Sequence, residues 1–524
     1  MARTMSKTAS PSVETVLEDQ LEDQVAVRLR PPRRVDPERF RGADPPPAAN
    51  VTRRSLIARL AASRTTQFLL ILPNQIIFWL VIILGFIGVV DPQTNFATAI
   101  TWYLWFCVVF VLMAVVGRAW CAMCPFGGFA EWIQRRTFFR RLHRTLGLGR
   151  PVPPWLAEWG FLGSVATFIL LTFIEEYFNI AGPGIPRYTA IMVLGIVATA
   201  VSVFLVFERR SFCRYLCPLS ALIGTVGSMG SVAGFRTVDR DTCLACTTKD
   251  CMRGGASGYG CPWFTWPGSA ESNAACGLCT ECYKACPSGN VGLFLQAPLT
   301  SVVAPKRRRA DLAWAVALLW GLVVFQQVNA TNAYAALDAA LNRATGWPQY
   351  PNPIDYLGII GAVALVTVGI IWAWGRVFLD PAAQQRVAAS TWLDRMTPFR
   401  QVFLPLAYGL IPVVGMDYFA RQLPKFFKHV PSLVPAVVGI FGVDTQHWSL
   451  VSYHLLSIPA IVEVQVGVMG LGVLGSLWAT AHIFKRELAS IVRHRALAKL
   501  SALALVVLLG GVAGWLYVIM HGAS

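Results

Sequence analysis

Runs of about 20 apolar residues recur along the chain, separated by short polar loops, and each is long enough to cross a bilayer core of roughly 30 Å. The pattern predicts nine membrane helices near 67–90, 97–117, 156–177, 188–207, 311–330, 355–375, 401–420, 458–481 and 500–520. The polar stretch 1–65, with RPPRR (30–34), DPPPAA (44–49) and the duplication LEDQLEDQ (17–24), reads as a disordered tail with no cleavable leader. Residues 236–300 form the one sizeable polar block between apolar runs. The expected organisation is therefore a tail (1–65), a four-span membrane domain (66–235), a soluble insert (236–300) and a five-span membrane domain (301–524).

Charge sets the orientation. Arg135, Arg136, Arg140, Arg141, Arg144 and Arg150 follow the second run, Lys306 to Arg309 precede the fifth, and Lys485, Arg486, Arg493, Arg495 and Lys499 precede the ninth. The alternate loops near 91–96, 178–186 and 331–354 hold only Arg343, counting Arg187 with the membrane edge. The positive-inside rule then places the N-terminus and the insert in the cytoplasm and the C-terminus outside. Segment 421–457, with Arg421, Lys425 and Lys428, is placed outside as a partly interfacial stretch. A composition 55% hydrophobic and 14% charged excludes an ordinary soluble protein. The net charge of +17 is accounted for by these loops, so no nucleic-acid partner is expected.

The chain has 13 cysteines, and the short Cys-x-x-Cys spacings in a cytoplasmic block point to metal ligation, not disulfides. Within the insert, Cys276-x-x-Cys279-x-x-Cys282-x-x-x-Cys286-Pro287 is the bacterial ferredoxin run. Three thiolates at i, i+3 and i+6 wrap one cluster, and soft sulfur suits iron better than oxygen donors do. The earlier group, Cys243-x-x-Cys246-x4-Cys251, then Cys261-Pro262, carries a Gly-rich insertion MRGGASGYG at 252–260. Crossed ligation in two-cluster ferredoxins assigns Cys243, Cys246, Cys251 and Cys286 to one [4Fe–4S] cluster and Cys276, Cys279, Cys282 and Cys261 to the other. The expected fold is mainly α: a polytopic helical membrane protein carrying a small α+β two-cluster ferredoxin-like insert.

Two further pairs form a quasi-repeat, RAWCAMCPFGG at 118–128 and RSFCRYLCPLSA at 210–221, each directly after an apolar run. Cys121, Cys124, Cys213 and Cys217 are candidates for one more metal centre or for two redox dithiols. Cys107, inside the second run, reads as a small packed hydrophobe.

Cys-Pro pairs after membrane helices, followed by an eight-cysteine insert, resemble the membrane polyferredoxins of the NapH/NosR/CcoG type. The resemblance covers about residues 67–300. It implies electron transfer between the quinone pool and a respiratory partner protein at the bacterial inner membrane. Three features depart from that pattern: only two residues separate Cys121 from Cys124, a large periplasmic N-terminal domain and a flavin-attachment sequence are lacking, and 301–524 has no counterpart in the shorter members. In the C-terminal half, Glu463 is a candidate proton acceptor for quinol chemistry and Asp417 a second intramembrane acid. His429, His447, His454 and His482 do not suggest haem, since His454 and His482 would lie about 42 Å apart on one helix, and no Cys-x-x-Cys-His is present. The expected function is iron–sulfur electron transfer as a quinol-linked oxidoreductase subunit. The alternatives are an accessory reductase that matures a metalloenzyme and a membrane redox sensor.

Overall fold

A computed structural model describes residues 48–135, 146–181, 185–255, 257–383 and 397–522. The tail expectation for 1–47 and the basic residues Arg136 to Arg144 lie outside the described residues. Among the described residues, eight helices are long and apolar enough to cross a membrane: Arg64–Ile87, Phe96–Val116, Gly160–Tyr177, Pro186–Val206, Ala310–Val328, Pro353–Phe378, Ile458–Leu488 and Arg495–Ile519. A further apolar pair, Pro398–Gly409 and Ile411–Gly439, is bent by 41° and would make a ninth if the two pieces form one span. Pro412 stands one residue past that break, where it removes an N–H and crowds the preceding turn. In the crossing order these are the first to sixth spans, the bent seventh, the eighth and the ninth.

Local signals set the helix starts. Proline occupies the first turn at Pro186, Pro353 and Pro398, and Asn352 and Thr397 cap with their side chains. The fifth span is central: 83% of its apolar window is buried, against 28–39% for the other seven single helices.

The C-terminal half packs against the N-terminal four spans as one bundle. Tyr356 Oη donates to the Ile169 carbonyl at 2.7 Å, the Phe161 amide donates to Asp311 Oδ2 at 3.1 Å, and Tyr418 stacks on Phe110 at 6.2 Å. Asp417, fully buried, accepts from Gln327 Nε2 at 2.6 Å and Tyr517 Oη at 2.7 Å, which ties the fifth, seventh and ninth spans together. Residues 421–429, the start of the stretch placed outside as partly interfacial, are helical and continue Ile411–His429, past the span end expected at 420.

The insert is built on a three-stranded antiparallel sheet in the order β1-β3-β2, with β1 Ala49–Asn50, β2 Val232–Thr237 and β3 Val291–Leu295. Val291 pairs with Thr237 and Leu295 with Val232, across a bulge at Gly234. Gly234 has φ +90°, and a Cβ there would lie 2.8 Å from Cys276 Sγ, so both the backbone and the neighbouring thiol require glycine. The third strand corrects the tail boundary. Residues 49–62 are structured: Ala49 pairs with Leu295 and Asn50 with Phe294, the Asn50 side chain caps the following turn, and a helix runs over Ser55–Ala62. Pairing with an exposed strand edge, not an apolar pattern of its own, orders this polar stretch.

Candidate functional site

The first group of insert cysteines surrounds one small void. Cys243 lies on the helix Arg240–Ala245, which Asp239 caps by accepting from the amides of Asp241 and Thr242 at 3.3 and 3.0 Å. Cys246 ends that helix in extended backbone, Cys251 lies in Asp250–Arg253, and Cys286 ends Glu281–Ala285, held extended by Pro287. Cys243, Cys246, Cys251 and Cys286 line a void of about 10 Å³ together with Lys249 and Trp266. Asn290 donates to two of the sulfurs, from its amide to Cys286 Sγ at 3.2 Å and from Nδ2 to Cys243 Sγ at 3.5 Å.

The second group adjoins it. The Cys261 amide donates to the Cys251 carbonyl at 2.7 Å, so the insertion 252–260 loops out and returns beside the point it left. Leu278 (φ +50°) and Thr280 (φ +60°) flank Cys279 in left-handed conformations, which coil the Cys276–Cys282 run tightly. Cys282 feels the charge of Cys261, Cys279 and Cys276, and also of Cys251 in the first group. Cys243, Cys246, Cys251 and Cys286 thus share one void, and Cys261 of the second group adjoins it through its amide bond to Cys251.

The membrane-edge pairs are brought together from the two halves of the repeat. The one-residue difference in their spacing is absorbed by a π-turn. Cys121 lies in a short α-helix, Ala119–Met123, whereas Cys213 lies in Phe212–Leu216, where the Cys217 amide reaches the Phe212 carbonyl five residues back at 2.7 Å. Cys124 and Cys217 each precede the proline that opens a helix, Pro125–Arg135 and Pro218–Val226, and both are extended. Backbone N–H groups at these helix starts, of Phe126 and Gly127 for Cys124 and of Leu219 for Cys217, offset only part of the burial that disfavours thiolate.

The repeat's two arginines are buried and join this region to the insert. Arg118 donates to the Ala274 carbonyl at 2.5 Å and Ser220 Oγ at 2.8 Å and lies 4.3 Å over the Trp263 ring. Arg210 donates through Nε to Glu131 Oε2 at 2.9 Å and through a guanidinium N–H to the Cys121 carbonyl at 3.2 Å, within the field of both Cys213 and Cys279.

These donor sets suit an iron–sulfur cluster. Burial, then the neighbouring thiols Cys243, Cys286, Cys246 and Cys261, pushes Cys251 up to about 12. Burial likewise raises Cys124 to about 11 and Cys217 to about 12. Four crowded thiols resist ionising together unless a cationic metal core offsets their charge. Among the described residues, no three His, Cys, Asp or Glu side chains converge closely enough to hold a single metal ion. Four thiols lining one void offer the donor chemistry of a cluster in which each thiolate would bind a different iron.

Cys121, Cys124, Cys213 and Cys217 also line one end of a cavity of about 330 Å³ inside the membrane helices. Its walls are apolar, from Ile77, Phe78 and Val81 of the first span, the π-helical stretch Ala99–Trp105 of the second, Phe168 of the third and Val193 of the fourth. Trp263 of the insert reaches the cysteine end. Glu175, Glu176, Gln326, Arg421 and Lys425 line the cavity as well. Glu175 and Ser164 share the third span; Ser164 Oγ donates to the Cys217 carbonyl at 2.6 Å, and 11 residues of helix put Glu175 about 16 Å further on.

Glu463 is exposed and does not line the cavity. His429 stacks on Tyr103 at 4.7 Å, His482 packs on Trp478 of its own helix, and His447 and His454 are exposed. The cavity's acids, Glu175 and Glu176, were not among the sequence-derived candidates. Their one sequence signal is a pair of adjacent carboxylates closing an otherwise apolar helix.

A family profile described as a 4Fe-4S binding domain matches residues 98–145 and 189–233. Each matched segment contains one of the two Cys-Pro pairs, so the match follows the repeat seen in the sequence. No curated protein matches the chain, and no solved structure does. The matched segments together with the membrane-length helices fit an iron–sulfur membrane protein that takes part in electron transfer.

Proposed function

We propose that the chain exchanges electrons between a hydroquinone held in the membrane cavity and a redox partner at the face of the insert. Three sets of thiols would hold [4Fe–4S] clusters: Cys121, Cys124, Cys213 and Cys217; Cys261, Cys276, Cys279 and Cys282; and Cys243, Cys246, Cys251 and Cys286. Clusters bound there supply one-electron transfer. The observation that carries the reading is the cavity, because four thiols from both repeat halves close one end of an apolar chamber of about 330 Å³ within membrane helices. The resemblance to membrane polyferredoxins supports the same substrate class.

The protein's own residues perform the remaining tasks. The apolar walls admit a quinone ring and exclude water. Arg118 and Arg210 fix the insert against the cysteine end, through the Ala274 carbonyl and the Trp263 ring in one case and beside Cys279 in the other. Cys121 and Cys213 pack against the apolar core of the insert, which keeps the three thiol sets adjacent.

The test uses the full chain, purified anaerobically in detergent and mixed with menadiol while the visible iron–sulfur absorbance is followed. Menadiol is expected to bleach the wild type, and the Cys121→Ser/Cys213→Ser double variant at least about tenfold more slowly, roughly 1.4 kcal/mol of added barrier. Dithionite should reduce both. Centres that dithionite reduces and no quinol reduces would overturn the reading and favour a maturation reductase or a sensor.

A further inference from the structure

The end of the cavity remote from the cysteines is built by both halves of the chain. The third span brings Glu175 and Glu176, the fifth brings Gln326, and the seventh brings Arg421 and Lys425. Lys425 Nζ lies 3.7 Å from Glu175 Oε1 and 5.5 Å from the centre of the Trp102 ring, so one cation bridges the acid and the π-helical wall. Glu176 accepts from Tyr350 Oη at 3.2 Å and Asn329 Nδ2 at 3.4 Å. Gln326 is 9% exposed, and its Oε1 is buried with no hydrogen-bond partner. Gln326 borders the cavity, and a turn of its side chain would offer the unpaired oxygen to a ligand that brings a donor. A phenolic hydroxyl is such a donor.

We infer that Glu175, held by Lys425 of the C-terminal half, is the proton acceptor for a hydroquinone docked at this end of the cavity beside Gln326. The inference rests on the hydroquinone reading above and gives the C-terminal spans a part in the site. Oxidation of the ring breaks two O–H bonds and forms two carbonyls. The two electrons leave singly to the iron–sulfur centres of that reading. One proton goes to the Glu175 carboxylate and the second to Glu176, whose contacts with Tyr350 and Asn329 lead away from the cavity. Trp105 and Trp120, 5.3 Å apart, line the wall between this end and the thiols.

The charged and titratable groups that face Glu175 are Glu176 on its own helix, Lys425 and Arg421 from the seventh span, and Tyr356 from the sixth, with Tyr350 beside Glu176. A carboxylate accepts a proton only when ionised, so the rate of menadiol-driven bleaching should rise with pH through one ionisation. Lys425 favours the ionised form. Lys425→Met should therefore move the rise to higher pH by about one unit or more. Glu175→Gln should abolish the rise and slow bleaching about a hundredfold or more.

Quenching of tryptophan fluorescence by menadione reports the docked ring independently of turnover. It should persist in both variants with an affinity within about threefold of wild type, less than 1 kcal/mol. A Glu175→Gln protein with the wild-type pH profile would overturn the inference and leave the hydroquinone reading standing. Loss of quenching in Glu175→Gln, with Lys425→Met unshifted, would also overturn it, by making the carboxylate a structural element of the pocket. A wild type that menadiol bleaches at no pH would overturn both.

Discussion

Replacing Cys282 by serine is expected to remove about four irons per chain and to leave the insert sensitive to protease. Cys282 is 6% exposed, and Cys261, Cys276 and Cys279 of its own set surround it, with Cys251 of the next set beyond. Serine offers a hard, weakly acidic oxygen where iron selects thiolate. The second consequence follows from the composition of the insert's core. Its buried cluster is Phe235, Trp263, Trp266 and Val291 with four cysteines, Cys243, Cys251, Cys261 and Cys282. So few apolar side chains cannot order a segment of this length alone, and metal binding supplies the missing folding free energy. Iron analysis and limited proteolysis of the purified variant check both effects. An unchanged iron content would remove Cys282 from the ligand set.

Arg210→Met is expected to destabilise the whole chain by about 3–5 kcal/mol, because it breaks a buried ion pair while keeping side-chain volume. The Arg210 guanidinium pairs with Glu131, whose side chain is also buried, and Glu131 pairs in addition with Arg135. Arg135 has other partners, lying 3.9 Å from Glu281 and 3.8 Å over the Tyr259 ring, so it does not replace Arg210 at the Cys121 carbonyl. Arg210→Lys should also fail, since an ammonium cannot reproduce the planar fork that meets Glu131 and the Cys121 carbonyl at once. Removing both charges, as Glu131→Gln/Arg210→Met, should recover part of the loss, because Arg210→Met leaves the buried Glu131 carboxylate with one of its two arginine partners. Thermal unfolding in detergent compares the three variants. A wild-type midpoint for Arg210→Met would show that the pair does not hold the insert in place.

The sequence made the spans legible because an apolar run of about 20 residues has few other uses. It did not show the bend in the seventh, since a hydropathy average does not register that Pro412 breaks the helix at Leu410. Cysteine spacing groups Cys243, Cys246, Cys251 and Cys286 because each short run dictates local ligation, and these four line one void. The two-versus-three spacing of the membrane-edge pairs looked like a defect. The π-turn at Phe212–Leu216 resolves it, and π-turns leave no mark in residue composition. Ala49 and Asn50 were hidden because a two-residue polar strand has no periodicity, only a partner in β3.

The acids show the limit most clearly. Glu463 and Glu175 both sit near the ends of apolar helices, and nothing in a uniformly apolar helix says which of its faces meets a cavity. That is set by packing: the third span lies against the fifth and reaches the seventh through Phe168–Tyr418 and Glu175–Lys425, whereas Glu463 is exposed. The C-terminal half, unmatched by the resemblance, proves to be the other wall of the cavity.

The central claim is that all three thiol sets hold clusters in one chain. Iron and acid-labile sulfide per polypeptide, measured on anaerobically purified wild-type protein, test it most directly. About twelve of each are expected. About eight would leave the membrane-edge cysteines as dithiols and break the link between the cavity and the insert. Zinc in place of iron would contradict the account altogether.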